Sequence, residues 1–238
     1  MSGKVAVITG GGTGIGAATA EELAKSGTKV ILVGRRPEPL QEVSETISRM
    51  GGTAVAHPAD ITDFSAMQKL ADTTIERFGQ VDLVVANAAV HDVSSIHDGD
   101  PEWWHKVIDV NVVGLLFTVR AFLPHMYRQE FGHLLVISSL SGRVTYVGEP
   151  IYITSKHAQV AFVDCLRKEV TPRGIKVTII EPGLVDTPFI DNPMGQKIKK
   201  TVTPLDPFDV ANAVRFAFEQ PKNSTIYEIS MRPLQQLL

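Results

Sequence analysis

Short apolar runs alternate with longer segments of helical periodicity along the chain. The runs are rich in Val, Ile and Leu, and the segments between them repeat apolar residues at the spacing of an amphipathic helix. This alternation is typical of βαβ units that build a parallel sheet covered by helices on both faces. The predicted strands lie near residues 4–9, 28–33, 53–57, 81–86, 133–138, 175–180 and 225–230, and the predicted helices cover 17–26, 37–50, 64–78, 101–127, 152–171 and 207–220.

The pattern predicts an α/β fold with one doubly wound parallel sheet of about seven strands, formed by a single domain over 1–238. One stretch departs from it. Residues 187–205 contain three prolines, one glycine and no clear period. Because a loop of that length in a compact domain is usually functional, we expect it to border a substrate.

A glycine-rich turn joins the first predicted strand to the first predicted helix. It reads Thr9-Gly10-Gly11-Gly12-Thr13-Gly14-Ile15-Gly16. Glycines let phosphate oxygens approach the backbone amides closely, and a helix N-terminus attracts negative charge. The turn therefore predicts a pyrophosphate site, although a purely structural turn remains the alternative on this motif alone.

The end of the second predicted strand bears on the choice of cofactor. NAD-binding folds place an acidic residue there to accept hydrogen bonds from the ribose hydroxyls. This chain has Gly34 instead, followed by Arg35 and Arg36, whose planar donors suit a dianionic phosphate. The sequence therefore favours NADP(H), with NAD(H) as the alternative. The other explanation of Arg36 is that it is a solvated charge at the start of the next helix.

A tyrosine and a lysine lie four residues apart on a predicted helix. Tyr152 and Lys156 therefore share one face, although an ordinary surface pair has the same spacing. An ammonium about 4 Å from a phenol lowers its pKa by up to about three units. On that argument Tyr152 is a general acid and base near neutral pH.

These motifs resemble the short-chain dehydrogenase/reductase family over essentially the whole chain. The family's spacing is found in Thr9-Gly10-xxx-Gly14-Ile15-Gly16, in Tyr152-xxx-Lys156, and in Ser139, which lies thirteen residues before Tyr152. The resemblance implies a three-layer Rossmann fold and hydride transfer between a nicotinamide and a ketone or aldehyde. It assigns Ser139 to orienting the substrate oxygen and Asn111 to holding a water beneath Lys156.

The resemblance also implies a set of cofactor contacts. Asp60 matches an adenine-binding aspartate but could equally be a turn residue, and Asn87 could bond the neighbouring strand or border the cofactor. The segment after the sixth strand resembles the one that closes over the nicotinamide carboxamide. The expected cofactor contacts are Gly10, Gly12, Thr13, Gly14, Ile15, Gly16, Arg35, Arg36, Asp60, Ile61, Asn87, Ala88, Tyr152, Lys156, Pro182, Gly183, Val185 and Thr187.

The substrate end is expected to combine residues 142–150, Val90 and His91 with the loop 187–205. Its composition is mixed, because apolar side chains accompany Glu149 and a run of lysines at 197, 199 and 200. The resemblance extends faintly to a subgroup that acts on short 3-hydroxy acids. The competing hypotheses are therefore an NAD-dependent dehydrogenase of such acids and a catalytically silent dinucleotide sensor or scaffold.

Charge and composition narrow the class of partner. The net charge is −3 with both signs interleaved, which gives no electrostatic footprint for nucleic acid or an anionic membrane. A lone Cys165 excludes an internal disulfide and a cysteine-rich metal site, and no metal-ligand spacing is present. We expect a small-molecule substrate and a cytoplasmic location. We also expect no apolar stretch near the length of about 20 residues that spans a bilayer. The resemblance implies a homodimer or homotetramer.

Overall fold

Seven parallel strands form one sheet in the computed structural model, which describes residues 1–191 and 193–236. The strand order is β3-β2-β1-β4-β5-β6-β7. This confirms the predicted three-layer, doubly wound Rossmann fold. The strands are β1 Val5–Thr9, β2 Lys29–Gly34, β3 Ala54–Pro58, β4 Leu83–Ala86, β5 Gly132–Ile137, β6 Ile175–Pro182 and β7 Glu228–Met231.

Helices cover both faces of the sheet. Asp63 begins α3 by accepting hydrogen bonds from the amides of Ser65 and Ala66, and Asp206 forms a capping box with Asp209 at the start of α8. The helices are α1 Gly14–Lys25, α2 Pro37–Arg49, α3 Phe64–Phe78, α4 Pro101–Ile108, α5 Gly114–Gln129, α6 Pro150–Val170, α7 Pro193–Ile198 and α8 Pro207–Glu219.

The core divides between the two faces because strand side chains alternate in direction. In β1, Val5 and Val7 pack on one side of the sheet, while Ala6 and Ile8 pack on the other. All four are fully buried. Burial on both faces explains why the strands read as continuous apolar runs rather than as alternating patterns.

Three elements differ from the sequence-based expectations. Helix α1 begins at Gly14 rather than at 17, so part of the glycine turn is helical. A π-helical turn, Asp109–Val113, interrupts the helix predicted over 101–127. The loop 187–205 contains a short 3₁₀ turn, Pro188–Ile190, and α7, and its end is tied back by a bridge between Val185 and Leu205.

The segment Pro101–Gln129 is long and apolar enough to cross a membrane, judged by length and composition within the described residues. Those criteria are length and composition alone, and a buried core helix also satisfies them. Half of its most apolar window is buried inside the protein, as in a core helix that packs on a sheet. Leu115, Val119 and Phe122 of α5 are buried, whereas Leu116 is 37% exposed, so most of the apolar face of this helix belongs to the core.

Candidate active site

A cleft of about 970 Å³ opens at the carboxyl ends of the strands. Chain order reverses between β1 and β4, and ligands of doubly wound sheets bind at such a switch point. Of the residues predicted to form the site, all line this cleft except Gly16 and Asn111. Those two lie behind the lining and support it, as described next.

The glycine turn is shaped by close backbone contacts. Gly10 has φ +65°, and a Cβ there would lie 2.8 Å from Nδ2 of Asn87. A Cβ on Gly16 would overlap the carbonyl oxygen of Gly10, so neither position accepts a larger residue without movement. This cradle fits a pyrophosphate held against backbone amides at the start of α1.

Asn87 fastens the turn to the neighbouring strand. Its Nδ2 donates to the carbonyl of Thr9 at 2.9 Å and to that of Gly10 at 3.3 Å. Its own amide donates to Oγ1 of Thr9 at 3.0 Å. Of the two roles left open by the sequence, the hydrogen bonds to the neighbouring strand are present, and the residue also lines the cleft.

Two arginines line the cleft in the turn between β2 and α2. Arg35 and Arg36 are exposed, line the cleft, and form no ion pair with another described residue. They precede α2, whose N-terminal end adds positive potential. Two unpaired guanidinium groups beside Gly34 fit a 2′-phosphate.

Asp60 also lines the cleft, next to the half-buried Ala59 and the buried Ile61. Its Oδ1 accepts from the amide of Thr62 at 3.0 Å and from the Thr62 hydroxyl at 2.8 Å. The turn role that the sequence left open is therefore present. It does not exclude an adenine contact, because both bonds use the same carboxylate oxygen.

Tyr152 lines the cleft and is only 7% exposed. Burial raises the pKa of its phenol above the ordinary value, a hydrogen bond with Ser139 lowers it, and Tyr146 and Glu149 raise it further. The expectation that Lys156 holds this pKa near neutral is wrong here, because spacing along a helix does not reveal the burial of the phenol. Tyr152 is thus a protonated phenol at neutral pH.

Lys156 lies beneath Tyr152 and is 2% exposed. Its Nζ is 5.5 Å from the centre of the Tyr152 ring and donates to Oε1 of Gln159 at 3.2 Å. Burial lowers the pKa of Lys156 to about 7. The ammonium form therefore predominates below about pH 7 and is lost as the pH rises through that value.

Asn111 is fully buried in the π-helical turn. Its Oδ1 accepts from the amide of Val90 at 2.8 Å, and its Nδ2 donates to the carbonyl of Val90 at 2.9 Å and to Oγ of Ser155 at 3.1 Å. The side chain ties the segment after β4 to α6. Its backbone carbonyl accepts from Nε2 of Gln159 at 2.7 Å. The water expected beneath Lys156 stays a prediction.

The segment after β6 closes one side of the cleft. The side chain of Thr187 lies against the glycine turn, with Cγ2 3.0 Å from the position that a Gly14 Cβ would take. The amide of Leu184 donates to Oε1 of Gln236 at 2.9 Å. Gln236 also lines the cleft and was missed from the sequence, because no local motif marks a residue so far along the chain.

The substrate end is built mainly from His91, Tyr146, Glu149 and Phe189. The three lysines of the loop do not line it, and Nζ of Lys199 pairs with Asp186 at 2.7 Å. The segment Gly142–Pro150 was expected to contribute, and Arg143 to Tyr146 and Glu149 do so. Within the described residues, no group of three or more His, Cys, Asp or Glu side chains could hold a metal ion.

A parallel sheet with a phosphate cradle at its switch point and a Ser-Tyr-Lys group in the same cleft defines the class of dinucleotide-dependent oxidoreductases. The chain belongs to the short chain dehydrogenase family, whose family model matches residues 4–197. It is 39% identical over 236 residues to an uncharacterized oxidoreductase of Staphylococcus saprophyticus, covering 98% of this chain and 99% of that one.

Solved structures agree with this membership. An alcohol dehydrogenase from the archaeon Thermococcus sibiricus, complexed with 5-hydroxy-NADP, is 30% identical with a TM-score of 0.90 over 99% of this chain and 98% of that chain. The closed form of a serine dehydrogenase, complexed with NADP⁺, is 29% identical with a TM-score of 0.92 over 98% and 96%. The protein is an oxidoreductase of this family with a nicotinamide dinucleotide as its cofactor.

Proposed function

We propose that the protein interconverts a ketone or aldehyde and an alcohol with NADP(H), using Tyr152 as general acid and base. The observation that carries this proposal is that Ser139, Tyr152 and Lys156 line the same cleft as the glycine cradle. A protein that only sensed nucleotide would not need a buried phenol that shares a cleft with a serine and a lysine. The arrangement therefore supports catalysis over the silent scaffold.

The bound cofactor supplies or accepts the hydride. In reduction, Tyr152 donates its phenolic proton to the carbonyl oxygen, and it recovers that proton in the reverse direction. Because burial keeps the phenol protonated, it is ready to donate at neutral pH. The Ser139 hydroxyl orients the same substrate oxygen, and the Lys156 ammonium stabilises the charge left on the phenolate.

Preference for NADP(H) is supported by Arg35 and Arg36 and by the absence of a carboxylate at Gly34. The two solved relatives named above carry an NADP-type ligand. The serine dehydrogenase also favours a second candidate, oxidation of a short 3-hydroxy acid, because serine is such an acid. Single-domain organisation, a cytoplasmic location and a homodimer or homotetramer stay predictions.

Consumption of NADPH and NADH, measured side by side against aldehydes, cyclic ketones, diketones and short keto acids, tests the function. We expect turnover with at least one class of carbonyl and a higher kcat/KM with NADPH. Tight NADPH binding without turnover of any compound in the panel would favour the sensor hypothesis. Equal or better turnover with NADH would remove the phosphate role of the arginines.

A further inference from the structure

A carboxylate is built into the substrate end of the cleft. Glu149 is 6% exposed, lies directly before α6, and lines the cleft. Its Oε2 accepts from the hydroxyl of Tyr146 at 2.8 Å and lies 3.1 Å from Nε2 of His91. Both contacts use Oε2, which leaves Oε1 to receive a ligand.

Aromatic rings surround the position next to the catalytic phenol. The ring of His91 lies 4.5 Å from that of Tyr152 at 70°, and 5.2 Å from that of Phe189 at 17°. The rings of Tyr152 and Phe189 are 6.1 Å apart. The rings of Tyr152 and Phe189, next to a carboxylate, form a setting that attracts organic cations.

The cations near this end are already paired or otherwise engaged. Arg143, which lines the cleft, donates to Glu181 at 2.7 Å and also pairs with Glu228. Lys156 lies beneath the phenol, where it supports Tyr152. Among the described residues, the only basic side chain within ion-pair distance of Glu149 is His91. A buried carboxylate without a strong cationic partner is costly, and a bound cation would offset that cost.

From these observations, and resting on the function proposed above, we propose that the natural substrate carries a protonated amine on an apolar body, as in an amino ketone or amino alcohol. Its ammonium lies against Glu149 and the aromatic rings, while its oxygen meets Tyr152 and Ser139. A carboxylate substrate finds no unpaired cation at this end among the described residues. This distinguishes the proposal from the 3-hydroxy acid hypothesis.

Three alcohols of similar size test the proposal: 2-amino-1-phenylethanol, neutral 1-phenyl-1-propanol and anionic mandelate, each oxidised with NADP⁺. We expect kcat/KM for the amine to exceed that for the neutral alcohol by at least about ten-fold, with mandelate lowest. Glu149→Gln should bring the ratio of amine to neutral alcohol close to one, chiefly through KM. Glu149→Asp should retain part of it, and Glu45→Gln, at an exposed carboxylate on α2, should retain all of it.

Calorimetric titration of benzyltrimethylammonium into the NADPH-loaded protein separates this proposal from the proposed function. We expect wild type to bind this cation, and Glu149→Gln to bind it at least about ten-fold more weakly. That result would support the ammonium site even if the three alcohols gave no turnover. Equal binding by wild type and Glu149→Gln, or a kcat/KM for mandelate that matches the amine, would overturn the proposal.

A second, independent observation concerns Gln159, which lies on α6 with Tyr152 and Lys156 and is 3% exposed. Its Oε1 accepts from Nζ of Lys156 at 3.2 Å, and its Nε2 donates to the carbonyl of Asn111 at 2.7 Å. We infer that Gln159 is a positioning residue that holds Nζ of Lys156 against the backbone of the π-helical turn at Asn111.

The pH dependence of carbonyl reduction tests this inference. The titratable group that faces Lys156 is Tyr152, and burial alone holds the lysine's pKa at about 7. Gln159→Glu places a carboxylate beside the ammonium, so the alkaline fall in rate should move up by about one unit or more. Gln159→Leu removes the acceptor and should move that fall to lower pH.

Gln129→Leu is the matched control, because Gln129 also bridges two backbone groups, the amide and carbonyl of Val81, far from the cleft. It should lower stability without moving the pH profile. The pH dependence of NADPH binding, followed by fluorescence, gives a second readout that needs no turnover. Profiles unchanged in both Gln159 variants would overturn the inference.

Discussion

Tyr152→Phe will lower kcat for carbonyl reduction by about 10²–10⁴-fold, the range that general acid catalysis contributes. The substitution removes the proton donor and the hydrogen bond with Ser139 but keeps the ring among its neighbours. Because the glycine cradle and Arg35 belong to the turns after β1 and β2, whereas Tyr152 lies on α6, NADPH binding should change by no more than about two-fold. Steady-state kinetics and fluorescence titration of NADPH separate the two effects.

The control for this variant is Tyr227→Phe. Tyr227 is 52% exposed and lies outside the residues that line the cleft, so its hydroxyl has no role in the reaction. It should retain wild-type turnover. Activity of Tyr152→Phe within ten-fold of wild type would remove the tyrosine from the acid role and move the proton donor elsewhere.

The local parts of this site could be predicted from the sequence. The glycine turn, the arginines after β2 and the pair of Tyr152 and Lys156 are short motifs whose geometry follows from a strand end or from one helix face. The order of strands and helices follows from periodicity in the same way. These features depend on few residues outside their own segment, so the sequence carries them.

The remaining parts depend on tertiary contacts. The π-helical turn at Asn111 accompanies hydrogen bonds to Val90 and Ser155, which are distant in sequence. The raised pKa of Tyr152 follows from burial, which helical spacing does not reveal. Gln159 went unrecognised for the same reason, since an isolated amide in a helix has meaning only once its partners are known.

The second large effect that we expect is a change in selectivity between NADPH and NADH. The double change Gly34→Asp with Arg35→Ala should shift the ratio of kcat/KM for NADPH to that for NADH by about ten- to hundred-fold toward NADH. The arginine's charged hydrogen bonds to a 2′-phosphate are lost, and the new carboxylate repels that phosphate while accepting from the ribose hydroxyls. A Cβ at Gly34 meets only the Leu40 side chain, at 3.4 Å, so the backbone accepts the substitution.

Arg36→Ala separates the roles of the two arginines. Both are exposed and free of ion pairs with other described residues, so burial and pairing alone do not rank them. If Arg36 is only a solvated charge before α2, its removal leaves the NADPH preference within about two-fold of wild type. A loss as large as that of the double variant would show that both guanidinium groups hold the phosphate. An unchanged preference in the double variant would show that the phosphate binds elsewhere in the cleft.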